Sequence, residues 1–158
     1  MNWHEKNAEF NTLIRQLFHE KNWQKRAEAA RLLGLKKDGR ATNLLCRALR
    51  IEKDHTVVNK IIEALGRIGD GRATLRIIEK LAEEQEKDEI DKFRLIYIIE
   101  SLTKIRDKRA LSYLGPLLNS SDDDIRELTL MAFNVIEPKW KEIIKRERNK
   151  SIQEIFRN

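Results

Sequence analysis

The tetrad Asp38-Gly39-Arg40-Ala41 recurs as Asp70-Gly71-Arg72-Ala73 and, with one change, as Asp107-Lys108-Arg109-Ala110. The copies begin 32 and then 37 residues apart, and each lies between two segments whose apolar residues have helical spacing. A repeat of this length, with one turn between two helices, is typical of stacked helix pairs. The sequence therefore predicts an all-α solenoid in which neighbouring pairs share a continuous core.

Apolar periodicity sets the order of the helices. It predicts three complete pairs over residues 29–49, 57–81 and 95–118, followed by the first helix of a fourth pair over residues 125–135. Pro138 is expected to end that last helix, because proline disfavours helical geometry in the residue before it.

Atypical helices are expected at both ends, since the terminal faces of a stack must meet water. The segment from Phe10 to Phe18 is amphipathic, and Ser151-Ile152-Gln153-Glu154 has the pattern of a capping box. We predict a single domain over residues 1–158. It comprises an N-terminal cap helix (1–21), core repeats (22–136) and C-terminal cap helices (137–158).

The turn residues have a structural explanation. We expect Asp38, Asp70 and Asp107 to act as structural caps, accepting hydrogen bonds from the free N–H groups that open each second helix, with about 1 kcal/mol from each. Gly34 and Gly66 are expected to take the left-handed position that ends each first helix.

Two further features each allow two interpretations. Trp3, Trp23 and Trp140 are expected to plug the ends of the core, with base-stacking platforms as the alternative. The basic stretch 139–150 is expected to form part of the C-terminal cap, because it also carries Glu142 and Glu147. Its alternative is a helix that lies on an anionic membrane.

Two stretches carry a family resemblance. They run from Arg26 to Leu49 and from Val57 to Leu81, and Ile125-Arg126 repeats the hydrophobic-arginine start of the same pattern. Over about residues 22 to 136 they resemble the short HEAT-like repeat of the phycocyanobilin-lyase type. The resemblance implies a right-handed α-solenoid of about four HEAT-like helix pairs. Proteins similar to this family are mostly binding scaffolds, some are chromophore lyase subunits, and others of related architecture are DNA-alkylation glycosylases.

Positive charge is concentrated in the repeated turns. Residues 34–41, 66–73 and 103–110 hold nine cations and three aspartates, an excess equal to the formal net charge of +6 of the whole chain. Because equivalent turns of a stack line one edge, we expect a basic ridge that suits phosphates or an acidic protein. We favour a second interpretation, a solvated edge whose cations complement helix C-termini. The candidate binding residues are Lys36, Lys37, Arg40, Arg67, Arg72, Lys104, Arg106, Lys108 and Arg109.

The turns at the opposite ends of the helices are acidic. Residues 83–91 hold six carboxylates against Lys87, and Asp122, Asp123 and Asp124 follow the third pair. We therefore expect the molecule to have a basic and an acidic edge.

Several classes of function find no support in the sequence. Cys46 is the only cysteine, and the three histidines lie far apart, so we expect no metal site and no disulfide. No catalytic array or phosphate-binding loop is found, and neither enzymatic activity nor a cofactor is expected. The longest apolar run, residues 95–99, is too short to cross a bilayer, and no apolar signal segment is found, so we expect no membrane partner and a cytoplasmic location.

The leading functional prediction is a non-catalytic scaffold or adaptor. It would bind a macromolecule, most simply a protein, through its inner helical face or its basic turn edge. The alternatives are nucleic-acid binding along the basic ridge and, from the resemblance alone, an accessory subunit of a chromophore lyase.

Overall fold

The chain is all-helical over the residues that the structure, a computed structural model, describes, namely 1–157. The predicted all-α fold class is confirmed, since no strand occurs in that range. Short 3₁₀ segments lie at Gly39–Ala41, Gly71–Ala73, Lys108–Ala110 and Gly115–Asn119. The α-helices are α1 (Trp3–His19), α2 (Trp23–Lys36), α3 (Thr42–Ile51), α4 (His55–Ile68), α5 (Thr74–Gln85), α6 (Lys92–Ile105), α7 (Leu111–Leu114), α8 (Asp123–Ile136), α9 (Trp140–Arg146) and α10 (Ile152–Ile155).

The helices form two compact units. Unit 1 comprises Met1–Ala73 with α1 to α4, and unit 2 begins at Thr74 and contains α5 to α10. Within unit 1, α2 packs against α1 and α4, and α3 packs against α4. Within unit 2, α6 packs against α5 and α8, and α7 contacts α8 and α10. The single domain over 1–158, with its three segments, stays a prediction.

Each first helix begins after a side chain that accepts a backbone hydrogen bond. Asn22 accepts from the N–H of Gln24, and Asp54 accepts from that of Thr56. Asp91 and Asp122 cap α6 and α8 in the same way. These caps satisfy N–H groups that have no partner within the helix, which fixes where each first helix starts.

A glycine allows the close approach of α2 and α4 in the core of unit 1. Gly34 lies inside α2 and is buried, and a Cβ atom placed on it would lie 2.8 Å from the Cα of Ala64. The expectation that Gly34 and Gly66 occupy left-handed helix ends is wrong, because both helices continue past them. The left-handed residues come three positions later, at Lys37 (φ 49°) and Gly69 (φ 75°), and Arg106 (φ 60°) ends α6 in the same way.

The second helix of the third pair is interrupted. Its α-helical part is only α7, and the chain continues as the 3₁₀ segment that contains Pro116. Proline has no N–H group to donate to the preceding turn. A Cβ atom on Gly115 would lie 2.7 Å from Cγ2 of Ile152, so α10 packs closely over this point. The predicted continuous helix up to residue 118 is therefore corrected to a short helix and a 3₁₀ turn.

The tryptophans do not all plug the core. Trp140 is 9% exposed, its ring centroid lies 5.1 Å from that of Phe133, and its Nε1–H donates to Asn134. Trp3 is 69% exposed and Trp23 is also exposed, so that expectation is wrong for these two. Both occupy the first position of a helix, directly after the N-cap, where the apolar stripe has not yet begun.

Replacing Gly34 with alanine is expected to lower the free energy of unfolding by about 1–3 kcal/mol, because the added methyl group would press against the backbone of α4. Urea unfolding measures this change. Gly39→Ala is the matched control, since its Cβ atom would meet only the end of the Arg72 side chain, at 3.9 Å. Equal stabilities of the two variants would contradict the close approach.

Replacing Lys37 with glycine is expected to raise the free energy of unfolding by about 0.5–1 kcal/mol, because glycine adopts the left-handed conformation without a steric penalty. Thermal unfolding checks this result. Glu100→Gly provides the contrast, because this exposed residue lies in the interior of α6 and glycine there costs about 1 kcal/mol. A loss of stability in both variants would show that the backbone at residue 37 is unstrained.

Candidate functional site

Each tetrad aspartate clamps the turn that it begins. Its carboxylate accepts from the backbone N–H two residues later and also from the guanidinium of that same residue, an arginine in every copy. The backbone bonds measure 2.9 Å for Asp38, 2.9 Å for Asp70 and 3.0 Å for Asp107, and the closest N–O contact of each ion pair is 2.6 Å. The capped element is a 3₁₀ turn, and the second α-helix begins only after its alanine.

The clamps favour the charged form of these carboxylates. Hydrogen bonds from Arg72 lower the pKa of Asp70 to about 2. The pKa of Asp38 is also lowered, chiefly by the hydrogen bond from Arg40. For Asp107, burial would raise the pKa, but the hydrogen bonds it accepts outweigh burial and lower it. The aspartates therefore stabilise the turns while they are ionised.

In unit 1 the clamped arginines also bridge neighbouring elements. Nη1 of Arg40 donates to Oδ1 of Asn7 at 2.9 Å, and the guanidinium lies 4.5 Å from the ring centroid of Phe10. Nη2 of Arg72 donates to the carbonyl of Gly39 at 3.1 Å. These two candidate binding residues thus hold consecutive turns and α1 together.

Three more of the candidate cations pair with glutamates from other positions. Lys36 contacts Glu9 at 2.7 Å, Arg67 contacts Glu63 at 3.5 Å, and Lys108 contacts Glu137 at 2.8 Å. Six of the nine cations are therefore in ion pairs within their own unit. The other three are Lys37, Lys104 and Arg106, which are exposed and form no ion pair with any residue from 1 to 157.

The pairing changes the charge balance of the turns. The sequence count set nine cations against three aspartates, whereas the structure adds Glu9, Glu63 and Glu137. Glu63 also contacts Lys60 at 3.7 Å, so ten cations against six carboxylates leave an excess of +4 instead of +6. Exposed pairs of this kind add only about 0–1 kcal/mol to stability, but they reduce the local positive field.

An arginine at the start of two first helices closes the preceding loop. Arg26 donates to the carbonyls of Glu20 and Lys21 and forms an ion pair with Glu52 at 2.9 Å. Arg126 donates to the carbonyl of Ser120, so each arginine bonds the carbonyl six residues before it. The arginine of the motif thus has a structural role in both units, although Lys25 stands before Arg26 in place of the apolar residue.

An apolar groove in unit 2 was missed by the sequence analysis. It has a volume of about 350 Å³ and lies between α5, α7 and α10. Leu75 and Tyr113 line it and are each 46% exposed. The available signal was weak: Leu75 is an apolar residue outside the core stripe of α5. The other lining residues are Ile78, Glu79, Leu81, Ala82, Gln85, Pro116 and Gln153.

The repeated helices match the model of a known protein family. Residues 10–95, more than half of the chain, match the family model for HEAT repeats. The chain belongs to the HEAT-repeat family. HEAT repeats commonly serve as scaffolds for protein interactions, and the all-helical content agrees with a helical solenoid. A search of curated proteins returned no match.

Among the residues that the structure describes, no helix is long and apolar enough to span a membrane. Within the same range, no group of three or more histidine, cysteine, aspartate or glutamate side chains is placed to hold a metal ion. Cys46 is buried in α3.

Replacing Asp70 with alanine is expected to lower the free energy of unfolding by about 1 kcal/mol at pH 6, since the turn loses its cap. The folded pKa of about 2 lies below the ordinary value. The contribution is therefore complete above about pH 4 and is lost as the pH falls through the folded pKa.

Urea unfolding of the wild-type and the Asp70→Ala variant between pH 6 and pH 2 measures how the free energy of unfolding depends on pH. The difference between the wild-type and the Asp70→Ala variant should shrink below about pH 4. Asp88→Ala, at an exposed loop position, should match the wild-type throughout. A difference that stays constant down to pH 2 would refute the role of the ionised carboxylate.

Proposed function

We propose that this HEAT-repeat chain is a non-catalytic scaffold or adaptor that binds another protein through its helical surfaces. One observation carries the choice of surface: most turn cations are paired, whereas large apolar side chains are exposed on the helices. Solvent-exposed apolar groups that are grouped together favour association with a protein. A right-handed solenoid of about four helix pairs and a cytoplasmic location complete the proposal and stay predictions of the sequence.

The exposed apolar side chains supply the candidate contacts. Single exposed apolar residues are common on protein surfaces and need no partner. Leu75 and Tyr113 differ because they share one groove. The large apolar residues that are exposed in residues 1–157 are Met1, Trp3, Trp23, Leu35, Ile51, Leu75, Ile90, Phe93, Tyr113, Leu130 and Met131.

Nucleic-acid binding at the turns is the second candidate. Lys37, Lys104 and Arg106 support it, because they are exposed and form no ion pair within the described part of the chain. If three phosphates are engaged, a fourfold rise in salt concentration should weaken binding about 40-fold. Membership of the phycocyanobilin-lyase type, with a role in chromophore attachment, stays a prediction of the sequence resemblance alone.

A photo-crosslinking experiment separates these functions. Benzoylphenylalanine is placed at Tyr113 and Phe93 on the helices, at Lys37 in a turn, and at Glu127 as an exposed control position on α8. Irradiation of cells at native expression should yield a discrete protein adduct at a helical apolar position and none at Glu127.

Two outcomes would contradict the proposal. One is the absence of any protein adduct at both apolar positions. The other is a nuclease-sensitive adduct at Lys37 alone, which would instead support nucleic-acid binding.

A further inference from the structure

We infer that the groove of unit 2 binds a short amphipathic helix whose apolar side chains enter the groove and whose basic residues meet the acidic loop at its end. This inference rests on the proposed scaffold function and specifies the chemistry of the partner. It follows from the shape of the groove, its apolar lining and the charge beside it.

One wall of the groove is a stripe along α5. Leu75, Ile78, Ala82 and Gln85 follow each other at intervals of three, four and three residues, so they lie on one face of the helix. At 1.5 Å per residue, the stripe extends for about 15 Å. That length matches about three turns of a helix laid in the groove, which would present apolar side chains at i, i+3 or i+4, and i+7.

The other wall is formed by the interrupted second helix and the C-terminal segment. Tyr113 lies on α7, Pro116 on the 3₁₀ turn, and Gln153 on α10. Ile152 of α10 packs against Gly115, and this close contact holds the two parts of this wall together. A preformed apolar cleft with a few polar groups at its edge has the character of a binding site.

The end of the groove at Gln85 is negatively charged. Glu86, Asp88 and Glu89 follow directly, are exposed, and form no ion pair with the described residues. The one cation among them, Lys87, is held by Glu84 at 2.7 Å. These carboxylates would attract lysine or arginine side chains of a bound helix.

The buried side chain of Glu84 holds the loop that carries these carboxylates. Glu84 is only 1% exposed, and its Oε1 accepts from the backbone N–H of Asp91 at 2.7 Å. Burial would raise the pKa of Glu84, but the hydrogen bonds from Lys87 and Asp91 outweigh it and lower the pKa. The loop is thereby tied to the end of α5, beside the groove.

The net charge of the whole chain favours acidic peptides over basic ones. The chain carries a formal net charge of +6, so its average surface repels a basic peptide and attracts an acidic one. Preferential binding of a basic peptide would therefore report the local field of the acidic loop.

The test uses two synthetic probes and the full chain. The first is a fluorescein-labelled, end-capped, 14-residue amphipathic helix of leucine and lysine, and the second has glutamate at every lysine position. Fluorescence anisotropy should show binding of the lysine probe at least tenfold tighter than that of the glutamate probe.

Variants locate the site. Leu75→Ser combined with Tyr113→Ser should weaken binding of the lysine probe at least tenfold, since it removes two exposed groove contacts. Glu86→Gln, Asp88→Asn and Glu89→Gln together should weaken it to a similar extent and flatten its salt dependence. The matched control is Met131→Ser with Glu127→Gln, which changes an exposed apolar and an exposed acidic residue of α8 and should leave binding unchanged.

Three results would overturn the inference: no binding of the lysine probe, equal binding of the two probes, or equal effects of the groove and control variants. The proposed scaffold function would still stand after any of these results if benzoylphenylalanine at position 93 captured a protein. Conversely, probe binding at the groove without any protein adduct in cells would support the groove chemistry and count against a scaffold role.

Discussion

The clamp between an aspartate and the residue two positions later organises the repeated part of this molecule. A single carboxylate accepts a backbone N–H and neutralises an arginine, so it fixes the turn and the side chain together. Each following α-helix begins directly after that turn. In unit 1 the same arginines extend to the preceding element, which links one repeat to the next by hydrogen bonds as well as by apolar contact.

Most of the fold could be predicted because it depends on local patterns. Helical periodicity located the helices, and the tetrad located the turns between them. One error arose where distant segments meet. Gly34 looked like a helix terminator because glycine often ends helices, whereas its position is set by the backbone of α4. The break after α7 was missed because the prediction followed apolar periodicity alone, although Pro116 lies within the segment.

The candidate site was less accessible to sequence reasoning. Counting charges within the turns could not show that Glu9 and Glu137 come from distant positions to pair with turn cations. The Glu63–Arg67 pair, four residues apart on α4, lay just outside the counted windows. The groove depends on Gln153 lying near Tyr113, a contact between residues forty positions apart. The sequence showed the acidic composition of residues 83–91 but not the apolar groove beside them.

The packing of α2 on α4 also limits how this chain can change over generations. A bulkier residue at position 34 meets the Cα of Ala64, an atom that every amino acid possesses. No replacement at position 64, not even glycine, supplies the missing space. A second-site suppressor would have to shift an entire helix, so this crossing point is closed to the simple compensatory exchanges by which side-chain contacts drift.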